Sequence, residues 1–130
     1  MYCLDTDIII EFLRGDKDII KNIKKISASQ PLFFTSLSLS ELYKGAYLSS
    51  QSEKEIENIN RLLEYFELIT INEKTAKIFG MKYVELLKKG KKTQDFDLLN
   101  ASIALTYHFV FVTRNRKHYV FISDLILESW

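Results

Sequence analysis

Three acidic side chains stand where a strand gives way to a helix or where a helix opens: Asp5 in LDTDIII, Glu41 in SLSLSELYKGA and Asp97 in DFDLLNASIAL. Carboxylates so far apart in the chain do chemistry together only if the fold gathers them. Once gathered they repel, until one takes up a proton or a cation sits among them. Oxygen ligands select hard ions such as Mg²⁺ or Mn²⁺, which keep several waters when only a few carboxylates bind them. Those open positions suit phosphodiester hydrolysis by a metal-activated water. Each acid also has an ordinary alternative, because Asp and Ser after a strand are common helix caps. Asp7 reads as such a cap, and Asp95 as a loop or cap residue beside the site. The histidines, His108 and His118, show no pairing for acid–base work without metal, and His118 reads as a surface residue near the same rim.

The elements that must position these acids follow from periodicity. Residues 2–4 read as a strand running into Asp5-Thr6-Asp7. Ile8, Ile9, Phe12 and Leu13 then recur at helical spacing up to Arg14-Gly15, with Gly15 suited to the left-handed position that ends a helix. A second helix is expected over 17–26 and a second strand over 32–35. Ser38 stands three residues before Glu41, the spacing of a capping box, which predicts a helix from about residue 39 with Glu41 in its first turn. Further helices are expected over 52–66 and 73–87, the latter turning Ala76, Phe79, Gly80, Tyr83 and Leu87 to one side, with a strand over 68–71 between them. A basic loop, 88–94, leads to Asp95-Phe96-Asp97 and a helix rich in small residues. A strand over 109–113, a polar loop and a short fifth strand over 119–122 complete the reading. Strands alternating with helices imply right-handed crossovers, hence an α/β class: a three-layer α/β/α domain with a central parallel sheet of four to five strands. In such sheets ligands bind beyond the carboxyl ends of the strands, where all three acids map.

A chain of 130 residues suits one domain, 1–130, and 47% hydrophobic with 27% charged residues is a globular composition. A net charge of +1 supplies no global field for nucleic acid. Any RNA affinity must be local, with Arg114, Arg116 and Lys117, and the loop lysines Lys88, Lys89, Lys91 and Lys92, as candidates against the alternative of solvated loop charge. A lone Cys3 in an apolar stretch fits a reducing compartment, the cytoplasm. The opening MYCLDTDIII lacks a cationic leader, and no apolar run nears the roughly 20 residues of a membrane span.

Taken in order, LDTDIII, SLSLSELYKGA, DFDLLNASIAL, FVTRNRKHY and ILESW resemble the PIN-domain ribonucleases, and among them the VapC-like toxins of prokaryotic toxin–antitoxin pairs. The resemblance spans nearly the whole chain. It implies a metal-dependent endoribonuclease that leaves a 5′-phosphate and a 3′-hydroxyl, with Asp5, Glu41 and Asp97 as metal ligands for Mg²⁺ or Mn²⁺. The family's fourth acidic position falls at Asn115, where many relatives carry Asp. That departure implies a second ion held weakly or only with RNA, and Asn115 as a water-positioning residue or a plain turn residue. Thr6 and Thr113 match the pattern as supporting hydroxyls. The family further implies a homodimer and a cognate antitoxin whose carboxyl-terminal segment covers the site. Two rival readings stand beside this one. A catalytically silent PIN scaffold that binds RNA or protein is kept open by Asn115. A haloacid dehalogenase-type phosphatase would use Asp5 as nucleophile, but the lysine and later acidic motif that it needs are missing.

Overall fold

In the computed structural model, which describes residues 1–130, strands and helices alternate along the chain. The order is β1 (Tyr2–Leu4), α1 (Thr6–Leu13), α2 (Lys17–Ser27), β2 (Leu32–Thr35), α3 (Ser36–Leu48), α4 (Ser52–Tyr65), β3 (Glu67–Ile69), α5 (Glu73–Lys88), α6 (Asp95–Tyr107), β4 (Val110–Val112) and β5 (Ile126–Glu128), with a 3₁₀ turn at Arg116–His118. Every strand pairing is parallel, and the sheet runs β3-β2-β1-β4-β5.

The strands are apolar on both faces because helices cover both. Leu4, aligned with Phe34 and Val112, turns toward α1 to α4, where it packs with Ile8, Ile19, Leu42, Ile59 and Leu62. Cys3, aligned with Phe33 and Phe111, turns the other way, toward Leu86 of α5 and Leu98, Ala101 and Ile103 of α6. Two hydrophobic cores thus sandwich one sheet, giving the three-layer α/β/α fold. Small residues let α6 lie close: Ala101, Ser102 and Ala104 are completely buried. The chain leaves β1 for β2 on one side and later returns to β4 on the other. That reversal opens a crevice at the carboxyl ends of β1 and β4, the usual ligand position in such sheets.

Three local features depart from the sequence expectations. Helix α3 starts at Ser36, not near residue 39, because Thr35 is the cap and its Oγ1 accepts the Ser38 N–H at 2.9 Å. Ser38 therefore lies inside the first turn and Glu41 in the second. The T-x-x-S spacing one turn earlier prevails over S-x-x-E, since Thr35 closes β2 and is already in place to cap. Residues 119–122 form no strand. Tyr119 and Val120 donate to the Arg116 carbonyl, both at 2.9 Å, and Ile122 to that of Tyr119 at 3.0 Å, so buried Tyr119 and Ile122 lie three apart on consecutive turns. The fifth strand is instead Ile126–Glu128, paired with β4. Helix α5 buries Thr75 and Leu86, leaving Tyr83 44% and Leu87 61% exposed, so its inner stripe is rotated from the expected one. No helix is long and apolar enough to cross a membrane.

Candidate active site

The crevice is built from the last residues of two strands. Asp5 follows β1 and is 6% exposed. Its N–H donates to the Val112 carbonyl at 2.9 Å, and its Oδ1 accepts the Thr6 N–H at 2.8 Å as the cap of α1. Thr113 follows β4 and donates from Oγ1 to Asp5 Oδ2 at 2.9 Å. The Tyr119 hydroxyl meets the same Oδ2 at 3.0 Å and reaches Asp97 Oδ1, in the first turn of α6, at 3.3 Å. The other Asp97 oxygen lies 3.2 Å from His118 Nδ1. Asp5 and Asp97 thus each bring one oxygen within hydrogen-bonding distance of one phenol hydroxyl.

Glu41 joins through hydroxyls. Its exposed carboxylate accepts from Thr6 Oγ1 at 2.5 Å, and Thr6 Oγ1 lies 2.9 Å from Ser38 Oγ. Ser38 Oγ is 3.2 Å from Thr35 Oγ1, which is 2.5 Å from Asn100 Oδ1 on α6. Both ends of this buried chain are pure acceptors, and each hydroxyl has one proton. Thr6 therefore donates to Glu41 and Thr35 to Asn100, leaving Ser38 to donate to one of them. A sequence of small polar groups ties α1, β2, α3 and α6 together behind the acids.

Charge in this crevice is poorly compensated. Burial, then the nearby Asp7 carboxylate, pushes Asp5 up to about 6, against the pull of its hydrogen bonds from Thr113, Thr6 and Tyr119. Burial and the two carboxylates push the Tyr119 phenol well above its usual range, which keeps it a donor. No Lys or Arg forms an ion pair with Asp5, Glu41 or Asp97; only His118 stands beside Asp97. Asp7 is not the cap expected of it. Its Oδ2 accepts the Arg114 N–H at 2.9 Å and lies 3.3 Å from the Thr113 hydroxyl, an alternative acceptor for the one proton that Thr113 gives Asp5 at the shorter distance, while its Oδ1 is buried without a partner.

Uncompensated carboxylates, hydroxyls and one orphaned buried oxygen make a donor set that fits a hard divalent cation. No three acidic, histidine or cysteine side chains close on a single point. The arrangement is an open pair, Asp5 and Asp97, with Glu41 outlying. An open pair still suffices for an ion that retains water and takes substrate oxygens.

The remaining candidates divide. Asn115 is exposed; its N–H donates to Thr113 Oγ1 at 3.0 Å and its side chain caps nothing. Arg114 is engaged by Asp16 at 3.0 Å and by the Trp130 carbonyl at 2.7 Å, and Arg116 by the Leu127 carbonyl at 3.3 Å. Lys117 behaves differently: with Lys92, Gln94, Asp97, His118 and Phe121 it lines a cleft of about 330 Å³. On the opposite flank, Glu41 edges a groove of about 360 Å³ lined by Ile10, Leu13, Leu42, Ala46 and Ile59. Sequence reasoning missed Tyr119, read as part of a strand, and the Thr35–Ser38–Asn100 relay. The i, i+3 recurrence of Tyr119 and Ile122 was the available signal for a turn that buries a tyrosine.

Residues 2–121 match the PIN domain family. Over its whole length the chain is 30% identical to Ribonuclease VapC1 of Haemophilus influenzae and to Ribonuclease VapC2 of Rickettsia felis, covering 98% of each. Its backbone superimposes with a TM-score of 0.95 on a chain of VapBC2 from Rickettsia felis, solved bound to a DNA fragment from their promoter, at 28% identity and covering 99% of this chain and 98% of that one. With VapBC-1 of nontypeable Haemophilus influenzae the TM-score is 0.88 at 30% identity, covering 99% and 97%. With this fold, these matches and acids at the β1–β4 crevice, the chain belongs to the PIN-domain family and, within it, to the VapC ribonucleases.

Proposed function

We propose that this protein is the toxin of a toxin–antitoxin pair, an endoribonuclease that hydrolyses RNA phosphodiesters with Mg²⁺ or Mn²⁺ held by Asp5 and Asp97, with Glu41 and Asn115 at the margin of the site. The observation that carries the reading is the pair of acids at the sheet's crevice, joined by one neutral hydroxyl and paired with no lysine or arginine. A bound divalent ion supplies an acidified water and neutralises charge on the phosphate. The chain's own residues do the rest. Thr6 N–H and Thr113 aim the Asp5 carboxylate, Thr6 holds Glu41, and His118 steadies Asp97.

RNA contacts divide by flank. Lys92 and Lys117 form no ion pairs and line the cleft that contains Asp97, so they are the phosphate contacts in this reading, whereas Arg114 and Arg116 are committed within the chain. The apolar groove beside Glu41 offers an antitoxin segment somewhere to lie, in keeping with the toxin–antitoxin complexes among its structural relatives. The exposed Met81, Val84 and Leu87 of α5 are the face we assign to a homodimer. We read residues 1–130 as one PIN domain working in the cytoplasm.

Purified protein should cut single-stranded RNA in Mg²⁺ or Mn²⁺, stop on chelation, and lose activity in Asp5→Asn and Asp97→Asn while keeping its circular dichroism. Products should carry 5′-phosphates and 3′-hydroxyls; 2′,3′-cyclic ends would mean that the ribose hydroxyl is the nucleophile and would refute a water-driven reaction. A silent scaffold is the reading that the exposed Asn115 and the open acid arrangement favour. RNA binding without metal-dependent cleavage by the wild type would establish it.

A further inference from the structure

Tyr119 closes the FVTRNRKHY stretch and reads there only as the start of a strand, yet its hydroxyl lies close to two of the acids. It is 1% exposed, with its ring edge-on to Phe111 at 5.0 Å and 63° and its backbone N–H bound to the Arg116 carbonyl at 2.9 Å. Burial and the contact with Phe111 hold the ring, and with it the hydroxyl, beside the two acids. That hydroxyl stands 3.0 Å from Asp5 Oδ2 and 3.3 Å from Asp97 Oδ1. We propose that Tyr119 is a positioning residue for divalent-cation binding, its buried hydroxyl directing the Asp5 and Asp97 carboxylates that would hold the ion. This inference rests on the reading of those two acids as the metal-holding pair.

The chemistry of the phenol favours this role over simple packing. A lysine or arginine between the carboxylates would hold them more strongly, but would neutralise the charge that a cation needs. A phenylalanine would fill the same space and leave the acids undirected. A neutral hydroxyl has one proton, which it donates to Asp5 at 3.0 Å or to Asp97 at 3.3 Å, one at a time, while leaving both negative charges in place. The lone-pair accounting agrees. Asp5 Oδ2 already accepts from Thr113 and Tyr119, but Oδ1 accepts only from Thr6 N–H. Each Asp97 oxygen has one hydrogen-bonding neighbour, Tyr119 or His118. With two acceptor directions per carboxylate oxygen, both residues keep an open direction for an ion without breaking the contact to Tyr119.

The test is Tyr119→Phe, which retains the ring and its packing on Phe111. Mn²⁺ binding to the metal-free protein, measured by calorimetry, should weaken roughly ten- to a hundredfold, the effect typical of losing a partner that orients a metal ligand. Cleavage at low Mn²⁺ should fall accordingly, but saturating Mn²⁺ should restore kcat to near the wild-type value. A Tyr119→Phe protein that binds Mn²⁺ as tightly as the wild type, whether or not it melts earlier, would reduce Tyr119 to a packing role and overturn the inference. Asp5→Asn separates the two levels. If the wild type binds Mn²⁺ and Asp5→Asn does not, the metal site stands whatever Tyr119→Phe does. If Asp5→Asn binds as the wild type does, or the wild type binds no ion, the underlying reading fails and the inference with it. Should Tyr119→Phe not fold, Tb³⁺ luminescence of the wild type replaces it: an ion seated between Asp5 and Asp97 lies against the phenol and emits on tyrosine excitation. Bound Tb³⁺ without sensitised emission would count against the proposal.

Discussion

At the scale of single residues, Asp5 is a carboxylate whose charged form the fold disfavours. It titrates near 6 in the fold, through burial and then the Asp7 charge, and near 4 in an unfolded chain. Between those values the native state binds more protons than the unfolded one, so this residue's contribution to stability falls as pH rises through the window and stays low above it. In chelator, Asp5→Asn should therefore be more stable than the wild type at pH 7, by on the order of 2 kcal/mol, and the difference should shrink toward pH 4. Adding Mn²⁺ should stabilise the wild type at pH 7 and leave Asp5→Asn unmoved. Melting curves at both pH values, with and without Mn²⁺, check all of this; equal stabilities in chelator at pH 7 would show that Asp5 is not strained. Cys3, by contrast, is fully buried and its thiol pushed far up, so it plays no part in this pH response.

Helix ends decide where the site's elements stop, and two of them use the same device. Helix α1 closes with the Asp16 N–H on the Glu11 carbonyl at 3.0 Å and Gly15 N–H on that of Phe12 at 3.1 Å, with Gly15 at φ 88°. Helix α6 closes alike, Phe109 N–H on Ala104 at 2.9 Å and His108 N–H on Leu105 at 3.3 Å, but here a histidine takes φ 54°. A residue with a Cβ is disfavoured in that conformation by roughly 1–2 kcal/mol. Gly15→Ala should therefore destabilise the protein by about 1 kcal/mol and His108→Gly should stabilise it by up to about 1 kcal/mol, the gain being reduced by the greater unfolded-chain entropy of glycine. Chemical denaturation of the two variants measures the opposite signs. Nothing within 4 Å would obstruct a Cβ at Gly15, so the backbone conformation alone accounts for the expected loss.

For the molecule as a whole, the near-zero net charge conceals an uneven surface. The Asp97 flank presents Lys92 and Lys117 beside His118, whereas the Glu41 flank is an apolar groove that holds Glu55 and Arg14. If RNA is gripped on the basic flank, the paired change Lys92→Gln with Lys117→Gln should make binding less salt-sensitive. Its log–log slope should fall by roughly 1.4, at about 0.7 per single-strand phosphate contact. Arg114→Gln, already held by Asp16 and the Trp130 carbonyl, should leave the slope unchanged and loosen the carboxyl terminus instead. Filter binding in chelator across a salt series distinguishes these outcomes, and an unchanged slope in the lysine pair would move the RNA track elsewhere.

Periodicity along the chain was enough to establish the alternating α/β order, the parallel three-layer sheet, the Gly15 helix stop and the placement of Asp5, Glu41 and Asp97 beyond the strand ends, because these depend on local repetition and on the few ways that βαβ units connect. It misjudged the start of α3, where two capping patterns one turn apart compete, and the short segment 119–122, where apolar residues three apart fit a turn as well as a strand. Only the tertiary structure decided that Tyr119 stands between Asp5 and Asp97, that Thr6 joins Glu41 to a buried hydroxyl relay, and which basic residues are free. Those facts depend on side chains from distant segments meeting in space. No spacing within one segment encodes such a meeting.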